Sequence, residues 1–423
     1  MSVQELRARI LKFDSEIERQ MELLKTLEQD KSIVQSQLNA VLDPVARLPL
    51  EISSEIFLQF FVLCETRPVP TVLLNICRAW AVIAKSTAAL WTAVHIDFPC
   101  GDDLAQVLPI WFQRAQNYPL SITISLRGRF SSWNHHVSSV IWKHGEKFKH
   151  LEILHDDDFA DTELDETVDL FGESDEDTNW LSLPLLETLT IRCQHRQRMY
   201  FASQIFELIR QAPNIVELSF GKIALDFDGD SDADSDEKLL APTLRRLVFE
   251  DDYTDDSFLN FVSLPALNAL CLPVYYVTGE NLLAFLERSG APLRDLALGG
   301  YHPHSSVPLH ECLRGIPTLT RFRMSEANPR AVTDLFVALA DSPSMLPNLC
   351  NLTIRTMGDS ASDIPDSSWR ALVRALSTRR MQSRIVGVAV SPPEDVLASF
   401  RELAVDGADI YVGTEECNFV VAQ

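Results

Sequence analysis

The chain has 423 residues, of which 46% are hydrophobic, and a formal net charge of −23. This length suffices for at least two hydrophobic cores, and the acidic balance argues against nucleic acids and anionic membranes as partners, since both select basic surfaces. The eight cysteines form no C-x-x-C pair, which indicates reduced thiols and a cytoplasmic or nuclear protein. No apolar run is long enough for a membrane span, and charges from Glu5 onward argue against a signal peptide.

Residues 3–42 have the pattern of a long amphipathic helix that ends before Pro44. Apolar side chains recur at alternating steps of four and three, and Gln20 and Lys31 interrupt this seam. Such a helix is stabilised mainly by burying its apolar stripe. Its partner is therefore a second copy of the chain, in a parallel homodimeric coiled coil through residues 3–42, or the next helices of the same chain. The remaining alternative is a helix that frays in solution. The seam consists of Leu6, Ile10, Phe13, Ile17, Gln20, Leu24, Leu27, Lys31, Val34, Leu38 and Val41.

A pattern of three short helices follows in residues 45–96. Pro49 fixes φ for a first helical turn, and Glu51 is favourable near a helix N-terminus. Pro68 and Pro70 mark a turn that neither flanking helix would tolerate inside it. About fifty residues bury only a marginal core, so this segment is expected to pack against a partner or a following domain.

Four stretches of this segment share a spacing known from one family: Leu48-Pro49-x-Glu51-Ile52, Ile56-Phe57, Ile76-Cys77-Arg78-x-Trp80 and Leu90-Trp91. Together they resemble the F-box, in the form abundant in mushroom-forming fungi. The resemblance implies docking onto a Skp-family adaptor, which connects to a cullin and a RING-type ubiquitin ligase. The alternative is three core helices of a larger helical domain. By this resemblance, the adaptor-binding residues are Leu48, Pro49, Ile52, Ile56, Phe57, Ile76, Cys77, Trp80 and Trp91.

Strand and helix patterns alternate after the three-helix segment. Val94–Phe98 and Leu120–Leu126 are predicted strands, and Leu104–Gln116 is a predicted helix between them. The predicted organisation is a coiled-coil helix at 1–43, an F-box at 44–98, a linker or first α/β unit at 99–145 and a repeat region at 146–423.

An apolar-x-x-apolar-x-apolar motif occurs eight times from residue 148 onward. Its first positions lie 23 to 38 residues apart, which suits one strand and one short helix per unit. Strands joined through helices run parallel, with right-handed crossovers, so repetition predicts a curved solenoid with strands on its concave face. This resembles leucine-rich repeats in an irregular form, because the asparagine that usually follows the strand is missing. The alternative is an ordinary α/β sheet covered on both faces. The motif stands at Phe148/Leu151/Ile153, Leu186/Leu189/Ile191, Ile215/Leu218/Phe220, Leu244/Leu247/Phe249, Leu267/Leu270/Leu272, Leu293/Leu296/Leu298, Leu319/Phe322/Met324 and Leu349/Leu352/Ile354.

Helices are predicted between several of these strands, and a cap is predicted at the end of the series. Ile385–Val390 and Ile410–Val412 are expected to be strands around a helix at Glu394–Ala404, which would close the open end. The predicted fold class is α/β, with an N-terminal coiled-coil helix, a three-helix F-box and an irregular leucine-rich-repeat-like solenoid of parallel strands. The helices predicted between the repeat strands carry apolar stripes at 205–209, 282–286, 332–339 and 369–376.

Two acidic insertions interrupt the repeats. Residues 156–177 contain twelve acidic and no basic residues, and residues 226–237 contain seven and none. Such runs are expected to stay solvated and disordered. The second insertion has the carboxylate spacing of a calcium loop but lacks the glycine which that turn requires. Phosphorylation by an acid-directed kinase at Ser174, Ser231 or Ser235 is another interpretation.

Strand alternation also predicts which side chains point away from the helices. Arg321, Arg323 and Arg355 fall on that face, and guanidinium groups pair bidentately with carboxylate and phosphate. They are the predicted client-binding residues. The sequence contains no phosphate loop, nucleophile elbow or zinc-binding helix, so we expect no enzyme activity, cofactor or metal.

The function that the resemblance implies is substrate recognition in a Skp–cullin–F-box ubiquitin ligase, with a client protein bound by the repeats. In this role the chain performs no bond chemistry and acts by holding a client lysine near the ubiquitin-charged enzyme. The alternative is a coiled-coil and repeat scaffold unrelated to ubiquitin.

Overall fold

The fold is taken from a computed structural model. The acidic insertions, and with them the calcium and phosphorylation hypotheses, lie outside its described residues, apart from Asp156 and Thr167–Val168. The described residues are 3–42, 44–63, 69–127, 133–156, 167–168, 182–193, 199–221, 223–224, 238–250, 256–272, 277–302, 305–356, 364–379, 381–388 and 390–421.

Helices occur where the sequence carries an apolar stripe. The second helix of the three-helix segment, predicted to carry Leu73 to Trp80, is divided in two: one helix ends at Leu74 and the next begins at Arg78, because Cys77 between them has extended backbone. The helix predicted at Leu104–Gln116 ends at Arg114, because Gln116 has φ of 55° and cannot continue a right-handed helix. The helices are α1 Val3–Leu42, α2 Leu50–Leu63, α3 Thr71–Leu74, α4 Arg78–Ser86, α5 Leu104–Arg114, α6 His135–Lys143, α7 Ala202–Gln211, α8 Gly279–Ser289, α9 Leu309–Arg314, α10 Pro329–Asp341, α11 Asp366–Thr378 and α12 Glu394–Val405.

The strands of the described residues are β1 Ala93–Phe98, β2 Leu120–Arg127, β3 Phe148–Asp156, β4 Thr167–Val168, β5 Thr188–Cys193, β6 Met199–Phe201, β7 Glu217–Phe220, β8 Ile223–Ala224, β9 Leu239–Leu240, β10 Arg246–Phe249, β11 Val262–Ser263, β12 Ala269–Leu272, β13 Asp295–Leu298, β14 Arg321–Ala327, β15 Asn351–Thr356, β16 Gln382–Val386 and β17 Ile410–Gly413. Most of them belong to one twelve-stranded sheet with the order β1-β2-β3-β5-β7-β10-β12-β13-β14-β15-β16-β17, and the others form two small sheets.

The chain divides into two compact units. The N-terminal unit contains Met1–Ala93 together with Val107–Tyr118, and the C-terminal unit contains Val94–Gln106 and Pro119–Gln423. The second half of α5 thus packs with the three-helix segment, although the sequence assigned it to a region beginning at residue 99.

The eight repeat motifs form eight strands of the large sheet, in parallel register. The second apolar residue of each motif pairs with that of the next, so that one row runs across the sheet: Leu151, Leu189, Leu218, Leu247, Leu270, Leu296, Phe322 and Leu352. From β2 to β17 every neighbouring pair is parallel. The prediction of a mixed α/β fold with parallel strands is therefore confirmed.

The C-terminal segment extends this sheet instead of standing apart from it. β16 pairs with β15, and β17 pairs with β16. The predicted strand Ile385–Val390 runs instead from Gln382 to Val386, because Gly387 has φ of 84° and ends it. A Cβ at Gly387 would lie 2.4 Å from the carbonyl oxygen of Thr356, so only glycine fits there.

A series of side-chain to backbone hydrogen bonds, which we call the polar ladder, connects successive repeats just before their strands. Asn214 Nδ2 donates to the carbonyl of Pro184 at 2.7 Å, Thr243 Oγ1 to that of Pro213 at 3.0 Å, and Asn348 Nδ2 to that of Pro317 at 2.9 Å. Thr318 Oγ1 likewise donates to the carbonyl of Leu293 at 2.7 Å. Each donor directly follows the proline of its own motif, so the ladder lies ahead of the strand, where the sequence analysis placed no polar contact.

Loss of one donor from this ladder tests its contribution to stability. We expect Thr243→Val to lower the free energy of unfolding by about 1 kcal/mol, because the side-chain shape stays and the carbonyls of Pro213 and Ile215 lose the single hydroxyl proton that they share. Urea denaturation followed by tryptophan fluorescence measures the change. The control Thr243→Ser keeps the hydroxyl and should unfold close to wild type. Equal urea midpoints for Thr243→Val and the wild type would show that this hydrogen bond does not contribute to stability.

Candidate functional site

The three-helix segment of the N-terminal unit is held together by a few buried polar contacts. Buried Ser53 donates from Oγ to the carbonyl of Val45 at 2.9 Å, and the hydroxyls of Ser54 and Thr87 lie 2.7 Å apart. Cys77 caps α4, since its Sγ accepts from the backbone N–H of Trp80 at 3.4 Å. The two serine contacts connect the start of α2 with the preceding turn and with the C-terminal end of α4, and the Cys77 cap stabilises the first turn of α4.

Trp91 anchors the same unit from inside. Its side chain is fully buried, and its indole N–H donates to the carbonyl of Ala84 at 2.8 Å. Trp111 packs against it edge to face, with ring centroids 4.9 Å apart, and donates to the carbonyl of Trp91 at 2.9 Å. The guanidinium of Arg114 lies 4.5 Å from the centre of the Trp91 ring. Aromatic and cation–π contacts of this kind add to the stabilisation from burial.

A row of exposed apolar side chains, which we call the α2 ridge, consists of Leu48, Ile52, Ile56 and Phe60. Their exposed fractions lie between 41% and 51%. The spacing of four places Ile52, Ile56 and Phe60 on one face of α2, and Leu48 lies in extended backbone just before the helix. A contiguous exposed apolar face of this kind is typical of a protein-interaction surface.

The nine residues assigned to adaptor binding divide into three groups. Leu48, Pro49, Ile52 and Ile56 are exposed, Ile76 and Trp80 are half-buried, and Phe57, Cys77 and Trp91 are buried. The three buried residues therefore belong to the core of the N-terminal unit and are not available to a partner. Trp80 packs against Phe57 with a centroid distance of 4.8 Å, so one of its edges belongs to that core.

Sequence reasoning missed Phe60 as a surface residue. Phe60 follows Ile56 at the four-residue step that already relates Ile56 to Ile52, and this spacing could have identified it. Val72 and Val82 are also more than half exposed, on α3 and α4 respectively. The exposed apolar surface of the three helices is thus larger than the family pattern indicates.

The predicted client-binding arginines lie on the exposed side of two neighbouring strands. Arg321 and Arg323 alternate with buried residues on β14, and Arg355 does so on β15. Both β14 arginines contact one carboxylate, Asp295 on β13, at 3.3 and 3.5 Å. Arg355 pairs with Glu415 at 3.1 Å. All three arginine side chains are more than half exposed.

Arg384 on β16 joins this group, although the sequence analysis did not include it. It pairs in register with Thr353, which itself pairs with Arg323, so two strand spacings, or about 10 Å, separate Arg323 from Arg384. The Arg384 guanidinium lies 5.0 Å from the centre of the Tyr411 ring. We call Arg321, Arg323, Arg355 and Arg384 the arginine patch.

Cys271 lies two strands from Arg323 on the same face of the sheet. Burial raises the pKa of the Cys271 thiol above its usual value, despite the nearby guanidinium groups of Arg323 and Arg246. The thiol is therefore protonated at neutral pH, which makes it a poor nucleophile.

Two cavities of about 730 and 1000 Å³ lie beside the N-terminal ends of β14 and β15. Arg379 lines both cavities, but its guanidinium donates to the carbonyls of Met345 and Ser342 at 2.6 and 2.7 Å. Its hydrogen bonds therefore stabilise the loop after α10.

Within the described part of the chain, no three His, Cys, Asp or Glu side chains are grouped to hold a metal ion. No described helix could cross a membrane.

Comparisons with known proteins identify no family. No protein-family model matches the chain, and no curated protein matches it. Among solved structures, the crystal structure of the Rad7 and Elc1 complex in yeast shares 11% sequence identity, with 98% of this chain and 92% of that chain covered and a TM-score of 0.32. A likeness of this strength carries no conclusion about fold or function.

The partition between core and surface in α2 is tested by two neighbouring substitutions. We expect Phe57→Ala to lower the free energy of unfolding of the N-terminal unit by about 3–5 kcal/mol, because it opens a cavity in the core. Ile56→Ala should change it by less than about 0.5 kcal/mol, because Ile56 is exposed. Denaturation monitored by circular dichroism measures both, and similar losses for the two variants would contradict the partition.

Proposed function

We propose that the chain is the substrate-recognition subunit of a Skp–cullin–F-box ubiquitin ligase, with an F-box of the type found in mushroom-forming fungi. The observation that carries the proposal is the α2 ridge. Leu48, Ile52 and Ile56 match the family pattern and are also exposed. A Skp-family adaptor would cover this ridge and thereby connect the chain to a cullin.

The buried members of the pattern have a positioning role in this proposal. Phe57 and Trp91 fix α2 relative to α4 and the following turn, through the ring contact with Trp80 and the hydrogen bond to Ala84. The exposed members then make the contact with the adaptor. Pro49 starts α2, since its carbonyl accepts the backbone N–H groups of Ile52 and Ser53 at 3.1 Å.

Clients would bind to the C-terminal unit, which we propose to be an irregular leucine-rich-repeat-like solenoid. The arginine patch is its recognition surface. One carboxylate, Asp295, faces both Arg321 and Arg323, so a positive charge remains for an acidic or phosphorylated client segment. Arg384 lies over the ring of Tyr411, which holds the guanidinium in place for a bidentate contact.

Such a subunit works in the cytosol or nucleus and needs no catalytic residue. It raises the effective concentration of a client lysine near the ubiquitin-charged enzyme, and proximity provides the rate enhancement. A second candidate is an interaction scaffold without a link to ubiquitin, because an apolar ridge alone does not specify which partner covers it. Adaptor binding distinguishes the two.

Binding of the purified chain to a purified Skp-family adaptor, measured by calorimetry, tests the first contact. We expect Ile52→Asp with Ile56→Asp to weaken binding at least about 100-fold, because each buried isoleucine contributes about 1.5–3 kcal/mol. The control Val82→Asp adds a charge at an exposed valine of α4, outside the α2 ridge, and should bind the adaptor close to wild type. An intact chain that does not bind the adaptor at all would leave the scaffold as the better candidate.

The arginine patch is tested separately by capture of clients from cells treated with a proteasome inhibitor. We expect Arg321→Glu with Arg323→Glu to abolish client capture and to leave adaptor binding unchanged, because the two contacts involve different units. The control Arg314→Glu with Arg330→Glu makes the same charge change on α9 and α10 and should capture clients normally. Phosphatase treatment of the extract distinguishes phosphate from carboxylate recognition. Unchanged capture by the first variant would refute the patch.

A further inference from the structure

The N-terminal helix α1 contacts α4, but the described side chains of its apolar seam are uncovered. It has 40 residues, which at 1.5 Å per residue gives a length of about 60 Å. Every side chain of α1 that the structure describes is exposed, including the apolar residues of the seam, from Leu6 at 43% to Val34 at 63%. A helix with an apolar seam of this length depends on a partner for its stability.

The charge of α1 is suited to self-association. The helix carries six basic and seven acidic residues, for a net charge of −1, whereas the whole chain has −23. Two copies of α1 therefore meet without strong repulsion. The seam keeps its four-three spacing over eleven positions, which is the heptad repeat of a left-handed coiled coil.

The residues that flank the seam favour a parallel, in-register pair. In that arrangement, Arg9 of one copy lies opposite Asp14 of the other, and the pocket that receives Lys31 contains Asp30 of the other copy. In a centred antiparallel pair, Asp14 would face Glu28 and Glu16 would face Asp30, which places like charges together. We propose that α1 forms a parallel homodimeric coiled coil, with Gln20 and Lys31 fixing its register.

A parallel pair has a consequence for the rest of the chain. It brings the two C-terminal ends of α1 together, and the α2 ridge begins six residues further on. The dimer would thus carry two adaptor sites and two arginine patches, so that a client with two acidic segments binds with increased avidity. This consequence rests on the proposed function, whereas the dimer itself does not.

The mass of the full-length chain in solution, measured by light scattering without any adaptor, tests the dimer. We expect twice the 47.6 kDa of one chain, and a return to a single mass for Leu24→Glu with Leu27→Glu, which places charges in the seam. The control Thr26→Glu with Gln29→Glu adds the same charge on the outer face of α1 and should remain dimeric. A wild-type monomer, trimer or tetramer overturns the proposal, whatever the outcome of adaptor binding.

The orientation is tested by cysteine cross-linking. Under mild oxidation, Ile10→Cys should give a disulfide between the two residues at position 10, identified by peptide mapping, because they face each other in a parallel pair. Lys12→Cys, on the outer face, should give none. In the centred antiparallel arrangement position 10 faces Val34, about 36 Å away along the helix. A dimer without the cross-link at position 10 therefore overturns the parallel orientation.

Discussion

The parallel register of the apolar motif residues is the constraint on which the C-terminal unit depends. Each strand places a leucine or phenylalanine beside the equivalent residue of the next strand, from Leu151 to Leu352, and these side chains are fully buried. A slip by one residue would turn this row toward solvent. Because the register is fixed, the alternate side chains must form an ordered outer face, and the arginine patch exists only as part of that face.

The N-terminal unit is under a different constraint, because a short helical segment can bury only a small apolar core. Phe57 and Trp91 are enclosed, while Ile52 and Ile56 on the same segment stay exposed. Ile52 and Ile56 lie about one helical turn apart, and Phe57 directly follows Ile56 in sequence, so α2 has an outward side and a core side. Exposed apolar side chains do not stabilise the isolated unit, but they would stabilise a complex in which a partner covers them.

Much of the fold could be predicted from the sequence, because strand alternation and helical stripes are local. Contacts between neighbouring repeats could not be predicted, because they join residues that are far apart in sequence. The donor role of Thr243 depends on where the carbonyl of Pro213 lies, thirty residues earlier, and Asp295 meets Arg323 only because β13 and β14 are neighbours in register. Arg384 was missed because the apolar pattern begins at Ile385, whereas backbone pairing begins at Gln382. The family spacing identified both Ile56 and Phe57 as adaptor-binding residues, but only the packing of α2 shows that Ile56 is exposed and Phe57 is buried.

The strands of the large sheet follow one another in chain order, without any exchange of position. Every strand after the first therefore meets its neighbour soon after it leaves the ribosome, and no segment waits for the far end of the chain to be made. Contacts that are short in sequence form quickly, and a series of nearest-neighbour units can grow from an already folded edge. Vectorial synthesis would thus add one unit at a time to a growing core.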